Sequence, residues 1–429
     1  MHMDKIIRPI TAIRGQMTVP GDKSISHRSL LLGAIAQGKT TIQNLSSAAD
    51  VNSTRTCLEQ LGVSIAATDH GLEIIGHGLY GLKASRQPLD CGNSGTTMRL
   101  LSGILAAQPF VSQLDGDESL RRRPMKRIIE PLSLMGASIE SQPGGLAPLT
   151  ISGNRLKAIT YRSPIASAQV KSCILLAGLY AEGTTTVIEP QLSRDHTERM
   201  LTDFGVSLEK NGLAVSISGQ QMLRACDITV PGDFSSAAFF IAAALLIPGS
   251  QLLIKNVCLN PTRIGLLEVL NEMGAAIQVE QHYQRSTEPV GDVAINAAQL
   301  YGTTIGPERI PSLIDEVPIL AVIATQAHGI TNLTGASELR VKESDRLQAV
   351  VNNLRAMGAE VAELPDGFTI IGPQELRGAQ LDSFNDHRIA MAFSIAGLIA
   401  AGETQIMNSE CVQISMPNFF ETLQEIAVE

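Results

Sequence analysis

The sequence predicts an α/β fold made of six copies of one βαβαββ-type unit, three to each of two domains. Three observations carry this expectation: a helix–glycine–strand pattern that recurs five times, an apolar helix that recurs six times between its copies, and a Pro-Gly-Asp step that occurs twice. The first pattern reads CLEQLGVSI from Cys57, LSLMGASI from Leu132, LTDFGVSL from Leu201, VLNEMGAAI from Val269 and NLRAMGAEV from Asn353. Its glycines at 62, 136, 205, 274 and 358 are expected helix C-caps, because the chain must adopt positive φ before it enters the strand. The tail from Phe419 predicts a sixth helix of this type, with its strand lost or supplied elsewhere.

The second pattern is an Ala/Leu/Ile-rich helix followed by a small turn and a β-branched strand, with copies starting near Arg28, Arg99, Lys171, Ser236, Pro318 and Arg388. These helices are apolar nearly all round and belong at a domain centre, whereas the amphipathic helices of the first pattern belong outside. Pro20-Gly21-Asp22 and Pro231-Gly232-Asp233 read as crossings between domains. The expected first domain is 21–231, and the second is 1–20 with 232–429, including an N-terminal strand over 6–19. His2-Met3 resembles a cloning remnant and is left out of the fold reasoning.

Composition excludes several function classes. An apolar content of 44% rules out extensive disorder. The richest apolar stretches, such as 237–248, are too short to cross a bilayer, and no cationic-then-apolar leader opens the chain; a cytoplasmic protein is expected. Cysteines 57, 91, 173, 226, 258 and 411 are widely spaced and read as free thiols in a reducing compartment. The net charge of −9, from 33 basic and 42 acidic residues, together with no Trp, argues against nucleic acid. An anionic ligand therefore has to be captured by local cations and backbone donors.

The starts of the apolar helices supply such groups. They read GDKSISHR (21–28), DCGNSGTTMR (90–99), SAQVKS (167–172), DFSS (233–236), DEVP (315–318) and NDHR (385–388). Ser, Asn and Asp are ordinary N-caps, but here they come with Lys23, Arg28, Arg99, Lys171 and Arg388. A buried helix start carries unpaired N–H groups and partial positive charge, so several aimed into one space form an anion trap. Further cations lie in the Arg121–Arg123 run, expected in a loop, and in RVKESDR (340–346), where Lys342 and Arg346 share a face if the segment is helical.

Taken together, GDKSISHR, GNSGTTMR, DESLRRRPM, KESDR and NDHR resemble the 5-enolpyruvylshikimate-3-phosphate synthase family over residues 5–421. The resemblance implies two inside-out α/β domains (the enolpyruvyl transferase fold) with the active site in the cleft between them. It implies transfer of the enolpyruvyl group of phosphoenolpyruvate to the 5-hydroxyl of shikimate 3-phosphate with release of phosphate, within aromatic amino acid biosynthesis. No metal or organic cofactor is implied, and a monomer is expected. By similarity Asp315 is the base for the hydroxyl, Glu343 shuttles the proton at carbon 3 of phosphoenolpyruvate, and Lys23 bridges both substrates and takes part in proton transfer as a catalytic residue. The shikimate 3-phosphate contacts implied are Lys23, Ser24, Arg28, Ser167, Ala168, Gln169, Arg194, Asp315 and Lys342. Those for phosphoenolpyruvate are Lys23, Gly95, Arg123, Gln169, Arg346 and Arg388. Arginine suits these tasks because its planar fork pairs bidentately with carboxylate or phosphate.

Several positions depart from the better-known form. Ile414 stands where many members carry Lys, Ala168 replaces Ser, Glu338 replaces Asn and Leu100 replaces Pro. Together with Arg194-Asp195-His196 these features resemble the class II branch. Two competing readings are an enolpyruvyl transferase acting on UDP-N-acetylglucosamine and a non-catalytic sensor of phosphorylated metabolites. Ser24 after Lys23 and the absence of Cys from 121–124 count against the first, and the presence of both Asp315 and Glu343 counts against the second.

Overall fold

The computed structural model describes residues 4–282 and 286–428. The chain divides into two compact units, the first comprising 21–230 with 286–288 and the second 4–20, 231–282 and 289–428. The sequence expectation assigned 286–288 to the second domain. They cluster with the first unit instead, where Glu288 pairs with buried His196 at 2.8 Å and Asp203 accepts from Ser286 and Thr287.

Each unit has three small sheets around buried helices. In the first, helices Lys23–Ile35, Gly95–Leu105 and Ala168–Gly178 are buried along nearly their whole length. One sheet runs Ile228–Thr229, Gln37–Gln43, Gly71–His77, Ser64–Thr68. The next runs Leu89–Asp90, Val111–Asp115, Leu146–Ser152, Ser138–Gln142. The third runs Thr160–Arg162, Thr184–Ile188, Ala214–Ser218, Leu208–Asn211. In all three a short strand lies parallel to the strand that follows the buried helix, and an antiparallel hairpin completes the sheet. The second unit repeats this plan around helices Phe234–Leu246, Val317–Gln326 and His387–Leu398, which pack on one another.

The five repeated glycines stand at φ between 80° and 100°. In each case the residue after the glycine donates its N–H five residues back: Val63 to Leu58, Ala137 to Leu132, Val206 to Leu201, Ala275 to Leu270 and Ala359 to Leu354. This is the Schellman closure, which satisfies an otherwise orphaned carbonyl at the helix end.

The strand expected over 6–19 is two strands in different sheets. Lys5–Ile7 pairs antiparallel with Thr404–Met407, and Ala12–Thr18 pairs parallel with Gln251–Cys258. Pro9, with no N–H to donate, lies in the break. Lys5–Ile7 thereby takes the last place in the sheet of the sixth repeat, the strand expected to be lost or supplied elsewhere, while the tail helix Phe419–Ile426 ends in a short strand against Ala12–Thr18. Among the described residues, no helix is long and apolar enough to cross a membrane.

Candidate functional site

The helix starts of the first unit are built as the sequence suggested. Asp22 accepts from the Ile25 N–H, Ser94 from Thr97 and Ser167 from Val170. Each cap leaves its helix N-terminus with forward-pointing N–H groups and partial positive charge. Lys23, the first helical residue, pairs with Asp50 of the outer helix Ala49–Gln60 at 3.0 Å. One turn on, Arg28 is buried. Its Nε donates to Thr197 Oγ1 (2.6 Å), Nη1 to the Ser24 carbonyl (3.0 Å) and Nη2 to Ser172 Oγ (2.8 Å). Burial lowers its pKa to about 10, with Arg194 adding to that shift, while Glu198, Asp22 and Glu288 oppose it.

Beside them, Gln169 receives a hydrogen bond from Arg99 Nη1 (2.5 Å) and donates to Thr96 Oγ1 (2.9 Å). Ser167, Ala168 and Gln169 are half-buried at the same helix start. Arg123 is buried and donates to Asn93 Oδ1 (2.6 Å), whose amide in turn donates to Asp117 (2.7 Å). A β-carbon at Gly95 would stand 2.9 Å from Arg99 Nη1 and 3.5 Å from Arg123 Nη1, so the missing side chain gives both guanidiniums room.

His27, next to these cations, is fully buried and hydrogen-bonds Thr54 (2.7 Å), which continues to Thr97 (2.6 Å) and the Ser94 cap (2.7 Å). Burial, Lys23 and Arg28 push its pKa well below the usual value, so the ring is neutral and serves as a brace between helices.

In the second unit Asp233 and Asp386 cap their helices, accepting from Ser235 and Arg388 N–H respectively. The start at 315–318 has no such side-chain cap and is a tight turn, Ile314–Glu316, leading into Val317–Gln326. Arg346 lies at the centre of a charge cluster. It donates to Asp386 (2.7 Å), Glu343 (2.6 Å) and Asp315 (3.2 Å) with only 2% of its side chain exposed. Burial opposes its charge, but Asp386, Glu343 and Asp315 more than compensate and raise its pKa. Arg388 donates to the Asp315 carbonyl (3.0 Å) and stands 3.6 Å from the Asp315 carboxylate. Lys342 is half-buried, and desolvation, with Arg346 adding, lowers its pKa against the pull of Asp315 and Glu343.

Three sequence expectations change here. Lys342 and Arg346 do not share a helix face: Asp345 caps a helix that begins at Arg346, and Lys342 ends the preceding turn Ser337–Val341. Arg121 closes a short helix, Glu118–Arg121, rather than lying in a loop. It and Arg122 are tied to Asp115 and Glu118 on the surface, leaving Arg123 as the buried member of the run. Lys171, grouped with the helix-start cations, instead spends its charge on Glu189 (2.7 Å) and Glu198 (2.8 Å) in the interior.

The chain is similar over its whole length to known proteins. The description EPSP synthase (3-phosphoshikimate 1-carboxyvinyltransferase) matches residues 7–423. The chain belongs to the EPSP synthase family. A 3-phosphoshikimate 1-carboxyvinyltransferase of Carboxydothermus hydrogenoformans is 52% identical over 425 residues, covering 99% of both chains. One from Bacillus thuringiensis is 50% identical with the same coverage. The EPSP synthase structure from Acinetobacter baumannii superposes with a TM-score of 0.89 at 44% identity, covering 100% of this chain and 99% of that one. The two-domain fold of the EPSP synthase family is thus the fold of this chain.

Sequence reasoning missed the partners that hold the family residues in place: Asp50 on Lys23, Thr197 and Ser172 on Arg28, Asn93 on Arg123 and Asp386 on Arg346. Asn93 and Asp386 lie inside quoted motifs and were legible as neighbours. Asp50 and Thr197 come from outer helices with no pattern that marks them.

Proposed function

We propose that this chain transfers the enolpyruvyl group of phosphoenolpyruvate to the 5-hydroxyl of shikimate 3-phosphate, releasing phosphate, as a cytoplasmic monomer in aromatic amino acid biosynthesis. The observation that carries the reading is the convergence of Asp315 and Glu343 on Arg346, two carboxylates and a buried guanidinium within hydrogen-bond reach in a chain of this family. The reaction needs two proton carriers of separate function, and a site with two oriented carboxylates can provide them.

In this reading Asp315 accepts the hydroxyl proton as the oxygen attacks carbon 2, while Glu343 delivers a proton to carbon 3. Collapse of the tetrahedral intermediate returns a proton from carbon 3 to Glu343 and breaks the bond from carbon 2 to the phosphate oxygen, and phosphate leaves with the proton that Asp315 had taken up. Arg123, Arg346 and Arg388 hold phosphoenolpyruvate, with Gly95 and Gln169. Arg28, Arg194, Ser24, Ser167, Ala168, Gln169 and Lys342 hold shikimate 3-phosphate, and Lys23 touches both. The buried Arg28, its guanidinium fixed by Thr197 and Ser172, supports the phosphate assignment.

A phosphate-release assay tests the proposal. Release that requires both substrates supports it. Release with UDP-N-acetylglucosamine as acceptor, or tight binding without turnover, refutes it.

A further inference from the structure

One buried cation in the second unit has no part in the reading above. Arg263 follows a tight turn in which Asn260 Oδ1 accepts from the Thr262 N–H (2.9 Å) and the Asn260 carbonyl from the Arg263 N–H (2.8 Å). The turn sends the side chain inward, where 2% of it is exposed. Nη2 donates to Asp233 (3.2 Å) and Ser235 Oγ (2.5 Å), Nη1 donates to Glu316 (3.3 Å), and Nη1 stands 4.0 Å from Asp315 Oδ2. Ser235 also donates to the same Glu316 oxygen.

Glu316 is the sequence neighbour of Asp315 in the turn Ile314–Glu316 and is wholly buried. Its charge has two consequences if unmatched. It raises the proton affinity of Asp315, since a nearby like charge disfavours the ionised carboxylate. It also draws on Arg388, whose Nη1 lies 3.7 Å from Glu316 while Nη2 lies 3.6 Å from Asp315. A guanidinium fork that reaches Glu316 with one arm and Asp233 with the other offsets this charge and fixes the turn.

We propose that Arg263 is a positioning residue for Asp315: by neutralising Glu316 and bracing it against Asp233 and Ser235, it keeps the Asp315 carboxylate ionised, aimed, and in possession of Arg388. The inference rests on the reading of Asp315 as the base. Arg346 and Arg388 from their helices and Lys342 from the preceding turn also face Asp315, and Glu343 shares Arg346 with it.

The test is the pH profile of kcat with both substrates saturating. Arg263→Met removes the cation and moves the acidic limb up by about one pH unit, with little change in either KM. Glu316→Gln removes the competing anion and moves the limb down. Arg263→Lys restores charge without the fork and brings the limb part-way back. Should Arg263→Met fail to fold, the Lys and Gln variants carry the same signed comparison. A lowered Tm with unmoved limbs in the folded variants would make Arg263 a structural brace only and overturn the proposal. Asp315→Asn separates the two ideas. Near-normal turnover there removes the base assignment itself and this inference with it, whereas an inactive Asp315→Asn with unmoved limbs sinks this inference alone.

Discussion

Replacing Lys171 with methionine removes one ammonium from a cluster that holds two carboxylates. Glu189 and Glu198 lie 2.7 and 2.8 Å from Lys171 Nζ, and all three side chains are at most 2% exposed. Methionine keeps most of the stem volume, so the loss is electrostatic rather than a cavity. Breaking a buried pair by deleting one partner costs about 3–5 kcal/mol, because the remaining charge is neither solvated nor matched. In a unit of this size about 1 kcal/mol moves Tm by roughly 2–4 °C, so the transition of the first unit falls by about 6–20 °C. Differential scanning calorimetry of the ligand-free protein measures it. The pH dependence has a definite sign. The lysine pKa is raised in the fold, since Glu198 and Glu189 outweigh the opposing desolvation. Its stabilisation is therefore complete below the ordinary lysine value of 10.5 and is lost as pH climbs through the higher folded value. The gap between the unsubstituted protein and the variant is full at neutral pH and narrows in strong alkali. The cluster also holds Ser193, whose carbonyl accepts from Lys171 (3.3 Å) and which precedes Arg194, so affinity for shikimate 3-phosphate declines as well. A Tm change of less than about 2 °C at neutral pH would refute the reasoning, since it would mean water or rearrangement solvates the orphaned carboxylates at no cost.

Three further outcomes are expected. Asp315→Ala and Glu343→Ala each lower kcat by roughly 10²-fold or more with substrate binding largely retained, measured by steady-state phosphate release and calorimetric titration. Arg28→Ala weakens shikimate 3-phosphate binding by about 10- to 100-fold, the worth of a charged hydrogen bond, and an unchanged Kd counts against its placement. Gly205→Ala costs about 1–2 kcal/mol in urea unfolding, because φ is +80° while no atom lies within 4 Å of the new β-carbon; the penalty is backbone strain alone, and turnover is unaffected.

Repetition made most of the architecture legible. Five glycines after five amphipathic helices announced helix C-caps at positive φ, and each cap closes by the Schellman hydrogen bond. The apolar helices announced burial because they are apolar nearly all round. What periodicity could not show was exchange between distant segments. Nothing local in Lys5–Ile7 says that it completes a sheet with Thr404–Met407, and nothing in Ser286–Glu288 says that it joins the first unit through Asp203 and His196. The candidate site was legible as a set of cations and carboxylates, because short motifs carry those residues together. Their electrostatic partners were not, since pairing is decided by which outer helix passes nearby. Lys171 illustrates the gap: in sequence it looks like Arg28 or Arg99, and only the placement of Glu189 and Glu198 turns it inward.

The charge arrangement also explains how a protein of net charge −9 can serve anionic substrates. The cations of the proposed site are not bare. Lys23 rests on Asp50, and Arg346 rests on Asp386, Glu343 and Asp315. Each cation is thus held in place without ligand, which avoids both the solvation penalty of an isolated buried charge and the self-repulsion of a basic patch. In the proposed site, a carboxylate or phosphate arriving at Arg346 would exchange with a protein carboxylate instead of meeting a vacant ion, so the net electrostatic gain is modest and the geometric demand is high. Such exchange favours ligands that match the guanidinium fork over anions that merely carry charge. It also ties recognition to chemistry, because the carboxylates that yield to the ligand on Arg346 include Glu343 and Asp315, the two groups proposed to move protons.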